Sequence, residues 1–196
     1  MSDAEPLERH PSLDERFDPG VRIIEHDPAW ASRAREELRR LEEALGPVAM
    51  LLEHVGSTAV PGLAAKPILD LQLSVADVEP RTRYAGILEQ LGYLFVPDPE
   101  LPDYHFFARP PARPRSHHLH VCRAGGEHEL RHLAMRDYLR AHGDEAAGYG
   151  ALKRALVRQR PHDRLAYMAG KQRYVNELEA RALSWVRAGR PRDSAP

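Results

Sequence analysis

Two histidines, His118 and His120, stand one residue apart in the segment SHHLHVC. On a strand, side chains two apart share a face, so this pair points one way while Leu119 and Val121 point the other. Two imidazoles at that spacing can chelate one metal ion, donate to a phosphate, or act as acid and base. They can equally be a satisfied pair lining a sheet surface. His117 belongs to the opposite, core-facing side. A second alternation surrounds Asp70. In ILDLQLSV, Leu69, Leu71, Leu73 and Val75 alternate with Ile68, Asp70, Gln72 and Ser74. The period of two puts the leucines on the core face and Asp70, Gln72 and Ser74 on the other. Asp70 on a strand beside the histidines would complete an ionisable cluster.

Basic and aromatic side chains offer further chemistry. Arg109, Arg113 and Arg115 crowd a proline-stiffened loop, RPPARPR, between two expected strands. Three guanidiniums there could clamp a triphosphate or a coenzyme A phosphate, or form a solvated connection. Arg109, at a strand end, is the best placed of the three. Tyr167, Lys171 and Tyr174 recur at i, i+4 and i+7 and so share a helix face that could stack a base and neutralise a phosphate, or simply pack. Arg131 and Arg136 are ambiguous in the same way.

Several chemistries are excluded. Neither GxGxxG nor GxxxxGK[ST] occurs, so the Rossmann fingerprint and the P-loop are absent. EHELRH gives neither HExxH nor HxxEH. A histidine-triad hydrolase needs HxHxH, and Cys122 occupies the third position. With one cysteine the chain can form neither an internal disulfide nor a thiolate zinc cage; Cys122 reads as a small buried hydrophobe in a reducing compartment.

The elements that must position these groups follow from periodicity and turn chemistry. A strand is expected over 21–26, then a helix with Asp27 as cap and Pro28 in its first position. Trp30, Ala34, Leu38, Leu41 and Leu45 form its apolar face, and Gly46-Pro47 closes it. Further strands are expected over 48–55, 68–75, 93–97, 103–109 and 116–122. Helices are expected over 80–91, 127–142, 145–159 and 164–187, with breaks at Gly143 and Pro161. This is a mixed sheet rather than a regular βα alternation, which disfavours a doubly wound parallel fold.

The 196 residues, 42% hydrophobic and 29% charged, suffice for one globular domain over 21–187, with flexible tails at 1–20 and 188–196. With 28 basic against 29 acidic residues, the net charge of -1 excludes a general nucleic-acid coat. The first residues lack the apolar core of a secretory signal, and no apolar run is long enough to span a membrane, so a cytoplasmic location is expected.

Several motifs in order carry a resemblance. DPAW (27–30), HVGSTAVPGLAAKPILDLQLSV (54–75), SHHLHVCRAGGEHELRHLAMRDYLRAH (116–142) and DRLAYMAGKQRYVNELEARAL (163–183) resemble the signatures of the GrpB family across nearly the whole folded chain. The resemblance implies an α/β nucleotidyltransferase-like fold, similar to the DNA polymerase beta core, with a helical C-terminal part. The family also occurs as a C-terminal domain fused to some dephospho-coenzyme A kinases. Without a P-loop, this chain is not expected to be a kinase.

By that resemblance Gly56 and Ser57 would hold nucleotide phosphates, glycine permitting close approach and the turn amides forming an anion nest. Lys66 would add a mobile charge. Asp70 would match the first of two superfamily carboxylates that hold divalent metal, with neutral Gln72 at the second position. The expected catalytic groups are Asp70, His118 and His120. Phosphate or substrate contacts are expected from Gly56, Ser57, Lys66, Arg109, Tyr167 and Lys171. A single Mg²⁺ is expected at Asp70 with His120 as a further ligand, and Gln72→Asp is expected to tighten metal binding. The implied function is a nucleotide-dependent transferase with an unassigned acceptor. The alternative is a non-catalytic nucleotide- or coenzyme A-binding module that assists a partner enzyme, such as a coenzyme A-pathway kinase.

Overall fold

The computed structural model describes residues 20–98, 101, 103–110 and 114–189. Helix α1 (Ala29–Leu45) is followed by strands β1 (Leu51–Val55) and β2 (Leu69–Val75), the short helix α2 (Ala85–Gln90), and strands β3 (Leu94–Val96), β4 (Tyr104–Arg109) and β5 (His117–Arg123). Helices α3 (Glu127–Ala141), α4 (Gly143–Gln159) and α5 (Arg164–Arg187) complete the chain. The five strands form one mixed sheet in the order β1-β2-β5-β4-β3. Only β2 and β5 run parallel; the other pairings are antiparallel. The parallel pair sets Asp70 opposite His118 and Gln72 opposite His120.

Each face of the sheet is covered. Leu71, Leu73, Leu119, Val121 and Phe107 bury one face against Trp30 and Leu41 of α1 and Leu88 of α2. The opposite face meets the C-terminal helices, whose own core contains Ala134, Tyr138, Tyr149, Leu178 and Ala182. Gln72 and Ser74 lie on that second face and are fully buried. The alternation therefore separates two covered faces, because α3 packs over the polar one. The apolar burial on both sides is what offsets the entropy of ordering the chain.

The helices after β5 and the last three strands follow the sequence pattern closely. Three differences have local causes. The expected strand over 21–26 is only a bridge, with two backbone bonds between Ile24 and Ala65. Asp27 and Pro28 already turn the chain into α1: Asp27 Oδ1 accepts the Ala29 N–H at 2.9 Å, and Pro28 sits at the N-cap rather than inside the helix. The strand expected from 48 begins at Leu51, since Gly46–Val48 makes a 3-10 turn around Pro47. The helix expected over 80–91 shortens to Ala85–Gln90 behind a second 3-10 turn at Arg81–Arg83. The tails assigned to 1–20 and 188–196 lie almost wholly outside the described residues.

Arg109 is placed by strand parity. It pairs in register with His117, whereas Ala108 pairs with His118. Arg109 therefore faces α1, away from Asp70. Its guanidinium meets Glu37 Oε1 at 2.7 Å, lies 4.9 Å from the Tyr93 ring centroid and contacts His117. Glu37 is only 5% exposed and also receives Arg40 and the Tyr93 hydroxyl. Burial alone would raise the Glu37 carboxyl, but the bonds and charge of Arg109, with Tyr93 and Arg40, bring it below its ordinary value. Arg109 is thus a half-buried clamp between α1 and the sheet, on the face opposite Asp70. Removing one member of such a pair strands the other charge. Arg109→Ala is expected to lower unfolding stability by about 3–5 kcal/mol in a urea titration. An unchanged midpoint would return Arg109 to the candidate ligand groups.

Candidate functional site

A cleft of about 650 Å³ opens between the sheet and helices α4 and α5. The end of β1 supplies its first feature. Gly56 has φ +69°, and a Cβ there would lie 2.6 Å from Asp70 Oδ2. Both the backbone conformation and the close approach require glycine. Ser57 then begins a 3-10 turn, Ser57–Ala59, with its side chain at the cleft.

Beside this turn, Asp70 Oδ1 is shared between two imidazoles, His118 Nδ1 at 3.0 Å and His120 Nε2 at 3.5 Å. Burial pushes the Asp70 carboxyl up, but the bonds and charges of His118 and His120 outweigh it and hold the group well below the carboxylate range. Burial pulls the His118 pKa down, with Asp70 opposing only in part. The resting arrangement is a carboxylate receiving N–H bonds from imidazoles. This fixes the His118 tautomer: Nδ1 carries the proton, and Nε2 keeps its lone pair. That Nε2 is buried and finds no hydrogen-bond partner among the described residues. His120 Nδ1 meets the Tyr104 hydroxyl.

The opposite wall is cationic and aromatic. Tyr149 and Lys153 come from α4, and Tyr167 and Lys171 from α5; Lys66 and Arg115 line the same cleft. Lys153 is 2% exposed and donates from Nζ to Ser57 Oγ at 2.9 Å. Burial pulls its pKa to about 7, with Lys171, Lys66 and Arg154 adding repulsion and Asp70 opposing. Lys171 is also lowered by burial, and its Nζ lies 5.9 Å from the Tyr167 ring centroid. Arg136 reaches the cleft wall but is held by Glu53 at 2.6 Å and Asp137 at 2.8 Å.

The structure thus brings Gly56, Ser57, Lys66, Asp70, His118, His120, Tyr167 and Lys171 to one cleft and leaves Arg109 outside it. Arg113 lies outside the described residues. Tyr174 stacks on Tyr149 at 5.6 Å within the helical core. Lys153, Tyr149, Tyr104 and His132 were not singled out by the sequence reading. Lys153 had a signal: Ala146, Tyr149, Gly150 and Lys153 form the buried stripe of α4, and a lysine on a buried stripe is seldom idle.

The donor set limits any metal. Among the described residues no group of three or more His, Cys, Asp or Glu side chains is arranged to hold one. His120, the expected further ligand, meets Asp70 through Nε2 and the Tyr104 hydroxyl through Nδ1. Gln72 is fully buried: its Oε1 accepts from His132 Nδ1 at 2.9 Å, and its Nε2 donates to Ser74 Oγ at 3.2 Å. Asp70 keeps Oδ2, enough for one hard cation shared with a bound phosphate and too little for a pair.

These bonds reverse the expectation for Gln72→Asp. The shorter side chain leaves His132 unmatched and buries a carboxylate, so stability is expected to fall by about 1–3 kcal/mol. No gain in Mn²⁺ affinity should appear by calorimetry; tighter binding would mean that position 72 reaches the metal after all. Acid should also unfold the protein. Burial lowers His54 and His117 to about 4, and burial with nearby His120 lowers His132 to about 3, against 6.5 for the free group. Below 6.5 the unfolded chain takes up these protons and the fold resists, so stability is present above that pH and is lost as pH falls. The thermal midpoint is expected to drop steadily from pH 6.5 to 4, and a flat profile would contradict neutral burial.

The comparisons with known proteins agree on one family. The GrpB protein family matches residues 20–181. The chain is 39% identical over 173 residues to UPF0157 protein PA4798 of Pseudomonas aeruginosa, covering 87% of this chain and 71% of that protein. It is 30% identical over 192 residues to a dephospho-CoA kinase of Mycolicibacterium paratuberculosis, covering 85% of this chain and 47% of the kinase. The chain spans about half the length of that kinase and of UPF0157 protein YqkA of Bacillus subtilis. The crystal structure of conserved protein GrpB from Enterococcus faecalis superposes with a TM-score of 0.77 at 33% identity, over 84% of this chain and 99% of that one. A slighter likeness, TM-score 0.43 at 17% identity, links 67% of this chain to 43% of a cytoplasmic RNA terminal U-transferase. With a family match across the folded chain and a GrpB crystal structure that shares its architecture, this chain belongs to the GrpB family.

Proposed function

We propose that this chain is a nucleotide-dependent transferase. The observation that carries the reading is the convergence of the Asp70–His118–His120 cluster with Lys66, Lys153 and Lys171 in one cleft. Lysines gathered in one cleft favour an anionic ligand, and phosphates are anions of the right density. The rings of Tyr149 and Tyr167 offer apolar faces for a base. Gly56 lets a phosphate come close to the backbone at the Ser57 turn. His118 Nε2, buried with a lone pair and no partner, suits a hydrogen-bond donor on a bound acceptor. In this reading the acceptor gives its proton to His118, and Asp70 steadies the imidazolium that forms.

Mg²⁺ belongs to this proposal as a companion of the nucleotide. Asp70 Oδ2 would hold it together with substrate phosphate oxygens, and it would neutralise phosphate charge. The lysines do the rest of that work.

A second reading is a non-catalytic module that binds a nucleotide or coenzyme A for a partner enzyme. The single carboxylate favours it, and so does the occurrence of this domain within about half of a dephospho-CoA kinase. A coenzyme A-pathway kinase is then the natural class of partner.

Calorimetry with the four ribonucleoside triphosphates and coenzyme A, with and without Mg²⁺, tests both. Lys171→Met is expected to weaken nucleotide binding about tenfold or more. Asp70→Asn is expected to weaken it with Mg²⁺ present and to leave or improve it without the metal, since the variant removes a negative charge that repels phosphate. His118→Gln is expected to cut transfer by about 100-fold or more while affinity holds. Nucleotide binding without turnover in the unaltered protein would favour the module; no binding by any of these ligands would refute both readings.

A further inference from the structure

A second pair in the same cleft has the makings of a nucleophile and its base. Ser57 Oγ and Lys153 Nζ are 2.9 Å apart. Ser57 follows Gly56, whose missing side chain leaves it against Asp70, so the two pairs Ser57–Lys153 and His118–Asp70 are neighbours. Lys153 is 2% exposed and has the Tyr149 ring 4.3 Å from its Nζ. An ordinary phosphate-binding lysine ends in water or on a carboxylate. This one ends on a hydroxyl beneath an aromatic ring. Burial and the charges of Lys171, Lys66 and Arg154 favour its neutral amine, with Asp70 opposing. A neutral amine beside a hydroxyl is a proton acceptor, and a serine so paired is an activated nucleophile.

We propose that Ser57 is a covalent carrier and Lys153 its general base, so that transfer proceeds in two displacements within one cleft. The inference rests on the nucleotide-dependent reading above. In the first step Ser57 Oγ attacks a phosphorus of a nucleoside triphosphate. An Oγ–P bond forms, an anhydride P–O bond breaks, and its electron pair departs on the remainder of the polyphosphate. The hydroxyl proton passes to Lys153 Nζ, and the resulting ammonium pairs with the new phosphoester. In the second step the acceptor gives its proton to His118 and attacks the same phosphorus. The Oγ–P bond breaks, its electrons return to Ser57 Oγ, and Lys153 returns the proton. Two separate acid–base pairs facing one cleft suit such a sequence: each displacement has its own proton acceptor. A single direct displacement needs only one.

The test is retention of label. The full chain is incubated without acceptor, with Mg²⁺ and each of the four ribonucleoside triphosphates, labelled at the α-phosphorus in one arm and the γ-phosphorus in the other. It is then denatured and mapped by peptide mass spectrometry. Label is expected to stay on Ser57, and the retaining arm identifies the attacked phosphorus. Ser57→Ala should retain none. Lys153→Arg keeps a long basic side chain but cannot accept a proton at neutral pH. With the bound fraction of each protein set equal by calorimetry, it should slow labelling by about 100-fold or more. Nucleotide binding by calorimetry without label on Ser57 overturns the covalent step and leaves the transferase reading standing. Label on another residue, or equal labelling in Lys153→Arg, also overturns it. Absence of nucleotide binding overturns both.

Discussion

The carboxylate of Asp70 is the constraint around which the cleft is built. A charge enclosed by protein must be bonded, and Asp70 meets this demand with two imidazoles from the neighbouring strand. The parallel pairing of β2 with β5 puts His118 level with it and His120 two residues further along the same face. The same carboxylate crowds the end of β1 so closely that residue 56 has no room for a side chain. The turn at Ser57 follows from that, and with it the meeting of Ser57 with Lys153. One half-buried charge therefore sets a histidine tautomer and requires a glycine at the end of β1.

Much of this was legible in the sequence. The alternation about Asp70 and about His118 and His120 fixed which side chains share a face, because a strand has a period of two whatever lies around it. The long helices after β5 were legible from their apolar spacing and their breaks. What escaped was non-local. Arg109 stands at a strand end beside a basic loop, yet which face it takes depends on its register with His117, and its true partner, Glu37, lies 72 residues away in sequence. Gln72 occupies the expected face, but whether that face is open or covered depends on α3 and on His132, which no local pattern announces. Lys153 was hidden by the ordinary look of a lysine in a helix.

The two faces of the sheet use charge differently. On the α1 side, Glu37 and Arg109 answer each other with Arg40 and Tyr93, so the network is closed and holds helix to sheet. On the cleft side several lysines line one cavity, and the buried Lys153 ends on a hydroxyl. Closed networks give rigidity, whereas an electrostatic imbalance in a dry cavity is tolerable chiefly where a ligand of opposite sign relieves it. The contrast separates a structural polar cluster from a candidate binding site within one small domain.

The walls of the cleft are also drawn from separate stretches of the chain. The strands and the β1–β2 connection contribute Gly56, Ser57, Lys66, Asp70, His118 and His120, while α4 and α5 contribute Tyr149, Lys153, Tyr167 and Lys171. Substitutions on the helices can reshape the ligand-facing wall without disturbing the strand register that holds the acidic and imidazole groups. The two walls can therefore vary separately: a change on the helices alters the shape and charge of the cleft while the sheet keeps its register.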